Sequence, residues 1–271
     1  MRALLLSTHP GPGAAVTVIT VLLAVTAGLE PWRVALLGLV MGLDQASVGL
    51  SNDWIDADRD RAVGRRDKPV ARGELTLALA RNVAIGAALA SVAVSLPLGI
   101  AAVAAHALFL VSAWAYNAGL KGTPLSVLPY LVSFGVLPAI VTLASAEPRL
   151  AAWWALAAGT LLGAGAHFAN VLPDLADDAA TGVRGLPHRL GRVGGVLVTW
   201  TVLPAAALVL AAGIGFGSPV AIAGLAAAAG LAIAGLVLGL RRPPSRTLFR
   251  LVIAAALVDV LMLLAGGAQG L

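Results

Sequence analysis

Long apolar runs dominate this sequence, and short polar or Pro/Gly breaks divide it into nine segments. A helix needs about 17–25 apolar residues to cross the hydrocarbon layer of a membrane. The pattern therefore predicts nine membrane-spanning helices, with links so short in places that neighbouring helices are antiparallel. The predicted spans are 14–30, 33–51, 75–97, 99–118, 124–145, 150–171, 193–213, 219–240 and 247–267.

Composition favours a membrane protein over a soluble one. Of the 271 residues, 59% are hydrophobic and 11% are charged, whereas a soluble domain carries about 25% charged residues. The absence of cysteine excludes disulfides, thiol chemistry and Cys-ligated metals. The apolar run in "MRALLLSTHPGPG" is too short for a secretory signal, so we expect no cleavage there. We predict one all-α, polytopic membrane domain over residues 1–271, a bundle of nine helices.

The distribution of basic residues predicts the orientation. If the N-terminus lies in the cytoplasm, 16 of the 18 Lys and Arg residues fall on that side, and only Arg33 and Arg149 fall outside. This asymmetry places the N-terminus and the charged loop 51–75 in the cytoplasm and the C-terminus outside. The preference for Arg over Lys and the abundance of Ala and Gly favour a bacterial cell membrane.

Two polar segments are related by a shift of 118 residues. Seven polar, Gly or Pro positions are identical between residues 52–73 and 170–191, which predicts parallel repeats on one membrane face. The halves cover about 1–122 and 123–240, and the ninth helix 247–267 is additional. The identical pairs are Asn52 and Asn170, Asp56 and Asp174, Asp60 and Asp178, Gly64 and Gly182, Arg66 and Arg184, Pro69 and Pro187, and Gly73 and Gly191.

Each copy carries an Asn and two Asp at i, i+4 and i+8, which share one face if the helix continues. We call residues 52–60 the first Asp motif and residues 170–178 the second; Pro173 makes the helical geometry of the second less regular.

One interpretation of these acids is that they are solvated and merely balance nearby Arg. However, carboxylates that converge from two halves repel each other unless a cation lies between them. Oxygen ligands without Cys favour Mg²⁺ bound together with substrate phosphates, and interleaved Arg and Lys suit the same phosphates. The sequence therefore predicts a lipid-soluble diphosphate substrate, namely a prenyl diphosphate.

Three segments resemble the UbiA superfamily of intramembrane prenyltransferases. "NDWIDADRD" is similar to the family's NDxxDxxxD motif, and "DLADD" with the tail "GVRGLPHRLG" is similar to its second motif. "YNAGLKGTP" resembles the Tyr-then-Leu-Lys segment that follows the fourth helix. The resemblance implies a helical bundle whose cavity opens to lipid beneath cytoplasmic loops. It also implies Mg²⁺-dependent ionisation of a prenyl diphosphate and transfer of the prenyl cation to an acceptor, often an aromatic ring.

The same resemblance implies roles for individual residues. Lys121 and Arg66 are expected to bind diphosphate with Tyr116 nearby, and Asn170 and Arg184 are further candidates for substrate binding. Lys68 departs from the commoner Arg-Pro pair, since a lysine keeps the charge but loses the bidentate geometry of arginine. The expected catalytic groups are Lys121 and the four Asp at 56, 60, 174 and 178. The metal ligands would be Asn52, Asp56, Asp60, Asp174 and Asp178, with Asp53 either a ligand or a contact behind the ligands.

Polar residues inside the predicted spans are further candidates, because intramembrane acids usually face the bundle interior. We expect Asp44 to face the cavity and contact the acceptor. His167 contacts the acceptor or takes a proton from a cation in one interpretation, and is a hydrogen-bonded structural residue in the other. The partner of Asp259 is not identifiable from the sequence.

Three functions compete. The first is transfer of a prenyl group, and the second is cyclisation of the same cation by a membrane terpene cyclase. The third is a carrier of lipid diphosphates or ions, because parallel repeats also occur in transporters. Product analysis with and without acceptors separates the first two, and metal-dependent release of diphosphate argues against the third.

Overall fold

Helices make up all the regular structure in the described part of the chain. The computed structural model describes residues 1–65, 68–172, 175, 182–241 and 246–266. Within these ranges, each of the nine predicted apolar segments coincides with a helix of at least 16 residues, which confirms the all-α prediction. The helices are α1 (Arg2–Ser7), α2 (Pro10–Thr26), α3 (Pro31–Ile55), α4 (Ala57–Ala62), α5 (Leu77–Ser95), α6 (Ile100–Ala118), α7 (Leu128–Leu143), α8 (Trp153–Val171), α9 (Leu186–Ile214), α10 (Pro219–Arg241) and α11 (Arg246–Gly266), with 3₁₀ turns at Leu96–Leu98 and Leu120–Gly122.

Several of these helices are suited to a membrane. By length and composition, α3, α5 with its 3₁₀ extension, α6, α9 and α10 are long and apolar enough to cross a bilayer, while α2 and α7 are apolar but shorter. Proline in the first turn begins α2, α3, α7 and α9, where its missing N–H costs no helical hydrogen bond. The described helices therefore form an integral membrane protein, and the count of nine crossings stays a prediction.

Two pairs of helices begin at nearly the same separation as the 118-residue shift in the sequence. Helix α2 begins at residue 10 and α7 at residue 128, a difference of 118, and α6 begins at residue 100 and α10 at residue 219, a difference of 119. The glycines that the two copies share all have positive φ. Gly64 and Gly182 have φ of 68° and 83°, and Gly73 and Gly191 have φ of 77° and 67°. Positive φ favours glycine, which accounts for glycine at all four positions.

Close packing of α7 on α8 places the second half of the bundle around the site. Gly159 and Gly163 lie one turn apart on α8, and a Cβ at either position would run into the α7 backbone. Small residues of this kind let membrane helices approach closely. Together with α2, α3 and α6, these two helices enclose a cavity.

Candidate functional site

A cavity of about 400 Å³ lies between the two halves of the bundle. Its polar wall comes from the C-terminal end of α3 and from the loops that follow α4 and α6. Its apolar wall comes from the interior of α6 and α7. Its volume lies within the range typical of ligand pockets. The polar lining includes Asn52, Asp56, Lys68 and Lys121, and the aromatic lining includes Phe109, Tyr116, Tyr130 and Phe134.

Asp56 is at the centre of the polar wall. Its buried carboxylate forms an ion pair with the Lys121 ammonium, and it accepts hydrogen bonds from Arg59 at 2.9 Å and from the Asn52 amide at 3.1 Å. Burial lowers the pKa of Lys121 below its usual value, and the neighbouring Asp56 carboxylate offsets part of that shift. Two cations therefore meet one cavity-facing carboxylate, an arrangement suited to an anionic ligand.

Lys68, in the loop after α4, contacts three residues of the first Asp motif. Its Nζ donates to the Asn52 side-chain oxygen at 2.9 Å, and it lies 2.9 Å from Asp60 Oδ2 and 3.3 Å from Asp53 Oδ1. Asp53 is also bonded to His9, whose Nε2 is 2.8 Å from the same carboxylate oxygen. The structure thus brings Asn52, Asp53, Asp56 and Asp60 close to one another and surrounds them with side-chain cations.

The donor set of this motif fits Mg²⁺ in kind. Asp53 Oδ2 is buried without a hydrogen-bond partner among the described residues, and Asp60 Oδ2 has there only its ion pair with Lys68. Mg²⁺ prefers oxygen ligands of this kind. Across the described ranges, however, no three His, Asp or Glu side chains are arranged so that they could hold a metal. In this conformation the acids converge on Lys68 and Lys121, and those ammonium groups hold the oxygens that a metal would bind.

The second Asp motif is described only at its beginning. Asn170 lines the cavity, and its amide is 3.4 Å from the Tyr130 hydroxyl. Three predicted site residues, Asp174, Asp178 and Arg66, lie outside the described residues. The Arg184 side chain is exposed in the loop before α9 and does not line the cavity that the structure describes.

Aromatic rings and one imidazole form the wall beside Asn170. The rings of Tyr116 and Tyr130 meet edge to face with centroids 5.2 Å apart, and His167 lies 5.0 Å from Tyr130. His167 is 1% exposed, and its Nε2 is 3.0 Å from the Ser126 hydroxyl, which also accepts the backbone N–H of Leu186 at 2.9 Å. His167 is therefore a hydrogen-bonded residue in the cavity wall, which combines features of both interpretations of the sequence.

Asp44, which the sequence predicts to face the cavity, is not among the described residues that line it. Asp44 is fully buried, and its carboxylate lies 3.3 Å from His106 on α6 and 3.0 Å from the amide of Gln45. Gln45 lines the cavity, whereas Asp44 is turned towards α6. Asp259 is also fully buried, on α11, and neither of its carboxylate oxygens has a hydrogen-bond partner among the described residues.

The sequence analysis missed residues that orient the side chains predicted to bind metal. Asn117 donates to the Ser51 hydroxyl at 2.8 Å and to the Val48 carbonyl at 2.9 Å, and its own oxygen accepts from Asn52 at 3.3 Å. This fixes the direction of the Asn52 amide. Asn117 lies inside "YNAGLKGTP", so the motif itself contained the signal. His9 and Ser126 lie outside the recognised motifs.

The helices and cavity define an integral membrane protein with a polar site enclosed by apolar helices. The sequence model of the UbiA prenyltransferase family matches residues 14–264. The chain belongs to this family and is a prenyltransferase, which confirms the resemblance seen in its motifs.

Solved structures share the fold. A UbiA homologue from Archaeoglobus fulgidus bound to GPP and Mg²⁺ has a TM-score of 0.75 at 15% identity, with 98% of each chain covered. The same homologue bound to DMAPP and Mg²⁺ has a TM-score of 0.74 at 17% identity, covering 98% of this chain and 97% of that one. The apo UbiA homologue from Aeropyrum pernix K1 has a TM-score of 0.73 at 20% identity, covering 92% and 97%. A comparison with curated protein sequences finds no match.

Proposed function

We propose that this protein transfers a prenyl group from a prenyl diphosphate to an aromatic acceptor in a Mg²⁺-dependent reaction. One observation carries the proposal: a single cavity has a charged wall at the ends of α3 and α6 and an aromatic wall inside α6 and α7. A substrate with an anionic head and an apolar tail matches both walls. The Archaeoglobus homologue, which shares the fold, was solved with GPP or DMAPP and Mg²⁺.

The charged wall would bind the diphosphate. Lys121 and Arg66 would contact its oxygens, because cations beside phosphate form short, charge-assisted hydrogen bonds. Mg²⁺, when bound, neutralises the negative charge that develops on the leaving diphosphate. We assign its ligands to Asn52, Asp56, Asp60, Asp174 and Asp178, with Asp53 either a further ligand or a contact behind them. Asn117 keeps the Asn52 oxygen turned towards the cluster.

The aromatic wall would receive the allylic cation. When the bond between carbon and the diphosphate oxygen breaks, the electron pair leaves with the diphosphate and a cation remains on the prenyl carbon. Ring faces attract cations, and Tyr116, Tyr130 and Phe134 line the cavity where the tail would lie. The acceptor then supplies the electron pair for the new bond and loses a proton. The enclosing apolar helices restrict the access of water, which would otherwise capture the cation.

Nine crossings with a cytoplasmic N-terminus are part of the proposal. The nine long helices in the described ranges and the asymmetry of the basic residues support this topology. Both Asp motifs would then lie at the cytoplasmic face, and the composition favours a bacterial membrane.

Product analysis tests the reaction. The purified protein is incubated in liposomes with GPP and Mg²⁺, with and without a panel of hydroxybenzoic acids and quinols, and released diphosphate and organic products are measured. Acceptor-dependent formation of a prenylated product supports the proposal. A cyclic hydrocarbon formed without acceptor would replace transfer with cyclisation. No release of diphosphate from any prenyl diphosphate would contradict both reactions.

Replacing Lys121 with alanine should raise the KM for prenyl diphosphate and slow ionisation. The change removes a cation from the cavity wall and leaves Asp56 with Arg59 and Asn52 as partners. We expect a loss of about 10²-fold in kcat/KM, as for removal of one charge-stabilising donor. Lys121→Arg is the control because it keeps the charge. An unchanged dependence of the rate on diphosphate concentration would remove Lys121 from the site.

A further inference from the structure

Lys68 is the most enclosed of the described cations that pair with carboxylates of the first Asp motif. Its side chain is 7% exposed, and its ammonium lies within 3.3 Å of oxygens from Asn52, Asp53 and Asp60. A buried lysine is costly unless it is paired and hydrogen bonded. Here the Lys68 ammonium contacts three side chains, and each of them is one that we assign to metal binding or place next to the metal ligands.

The backbone holds Lys68 in this position. Val70 is fully buried in an apolar cluster with Leu50 at the end of α3 and Ala57 at the start of α4. A turn follows, in which the Lys68 carbonyl accepts the N–H of Arg72 at 3.2 Å and the Pro69 carbonyl accepts that of Glu74 at 3.0 Å. These contacts hold the Lys68 backbone next to the acids that its side chain neutralises.

The repeat shows that this cation is not a general requirement of the motif. At the 118-residue shift, Lys68 corresponds to Leu186, whose side chain carries no charge, although Pro69 and Pro187 correspond. In the second copy Leu186 and Pro187 begin α9, so the backbone there is helical and the side chain at this position is apolar. A lysine at this position of the repeat therefore occurs in the first copy and not in the second.

We propose that Lys68 is the resident cation of the first Asp motif and that a divalent metal gains Asn52, Asp53 and Asp60 only by displacing its ammonium. This proposal rests on the proposed function, because it assumes that these oxygens bind the metal or lie next to those that do. Because two cations cannot share the same lone pairs without strong repulsion, metal binding at this motif is an exchange. Lys68 also lines the cavity, so the displaced ammonium stays within reach of an anionic substrate.

Lys68→Met tests the exchange, because methionine has a similar length and no charge. In EDTA, the variant should unfold at a lower temperature than the wild-type protein, since the buried carboxylates lose their counter-ion. Mg²⁺ alone should then raise its unfolding temperature more than that of the wild type. The half-saturating Mg²⁺ concentration should fall by about tenfold or more, because the competing charge is gone. Arg61→Met, which affects the pair with the 95% exposed Asp58, is the control and should behave as the wild type.

Lys68→Arg keeps the positive charge. Mg²⁺ should therefore raise its unfolding temperature no more than it raises that of the wild-type protein. A Lys68→Met protein that loses its response to Mg²⁺, or binds Mg²⁺ no more tightly than the wild type, would overturn the proposal. In that case Lys68 would assist metal binding or have no part in it.

A second measurement uses the wild-type protein and does not depend on a variant that folds. The sequence contains two lysines, Lys68 and Lys121, so an amine-reactive reagent and mass spectrometry can follow each one. We expect Lys68 to be protected in EDTA and to react faster in Mg²⁺, because displacement frees the ammonium from its carboxylates. Equal protection in both conditions, or reaction without metal, would refute the exchange. Failure of the proposed function would instead appear as absence of prenyl transfer, which these two readouts do not measure.

Discussion

Asp56→Ala should abolish turnover while the protein still folds and extracts from the membrane normally. Asp56 is the first-motif carboxylate on the cavity wall, and it holds Lys121, Arg59 and Asn52 in place. Its loss removes a proposed metal ligand and releases the cation that would contact diphosphate. Several kcal/mol of transition-state stabilisation correspond to a loss of about 10²–10³-fold or more in rate. The measurement is the initial rate of diphosphate release from GPP in saturating Mg²⁺.

Asp58→Ala is the matched control, because Asp58 lies in the same motif with a 95% exposed side chain that pairs with Arg61. We expect its rate to equal that of the wild type. Asp178→Ala should behave like Asp56→Ala if the second motif completes the site. A wild-type rate for Asp56→Ala or Asp178→Ala would remove that residue from the metal site.

The positions of the helices could be predicted because membrane helices have a narrow range of lengths and few charges. Their ends were less predictable. The predicted span 33–51 became α3, Pro31–Ile55, since the polar residues at its C-terminal end find partners inside the protein. The predicted span 193–213 became α9, Leu186–Ile214, which tolerates proline in its first turn and is interrupted at Gly191.

The identity of the first Asp motif could be predicted, but the rotation of each helix could not. The cavity stripe on α3 contains Gln45, Gly49, Asn52 and Asp56, which follow helical spacing. Asp44 precedes Asn52 by eight residues, and at 3.6 residues per turn the two side chains differ by about 80°. That difference turns Asp44 towards His106 on α6. Composition cannot reveal which neighbour a buried acid will meet.

The partners of the motif were the least predictable part of the site. His9 comes from the segment before α2, Lys68 from the loop after α4, and Asn117 from the end of α6. Each contact depends on how separate helices are packed, and no local pattern specifies it. The sequence had marked Lys68 as a departure from the family pattern, and the structure gives that departure a physical consequence by placing the ammonium among the acids.

Cysteines at positions 52 and 170 should be joined by a short bifunctional thiol reagent. The chain has no native cysteine, so Asn52→Cys with Asn170→Cys gives a single pair. If one diphosphate is shared by metals from both motifs, with Mg²⁺ ligand bonds of about 2.1 Å, the two side chains lie on the order of 10 Å apart. The measurement is the shift in electrophoretic mobility after proteolysis between the two halves, with reagents of increasing length.

A continuous line of contacts supports this expectation. Asn52 bonds to Asn117 at 3.3 Å, the neighbouring Tyr116 ring lies 5.2 Å from Tyr130, and the Tyr130 hydroxyl lies 3.4 Å from Asn170. The first and last residues therefore face the same cavity although they are 118 positions apart. Cysteine at the exposed position 58 paired with Asn170→Cys is the control, and a short reagent should not join that pair. If no reagent of any length joins positions 52 and 170, the two Asp motifs do not form one site, and the shared-diphosphate mechanism is wrong.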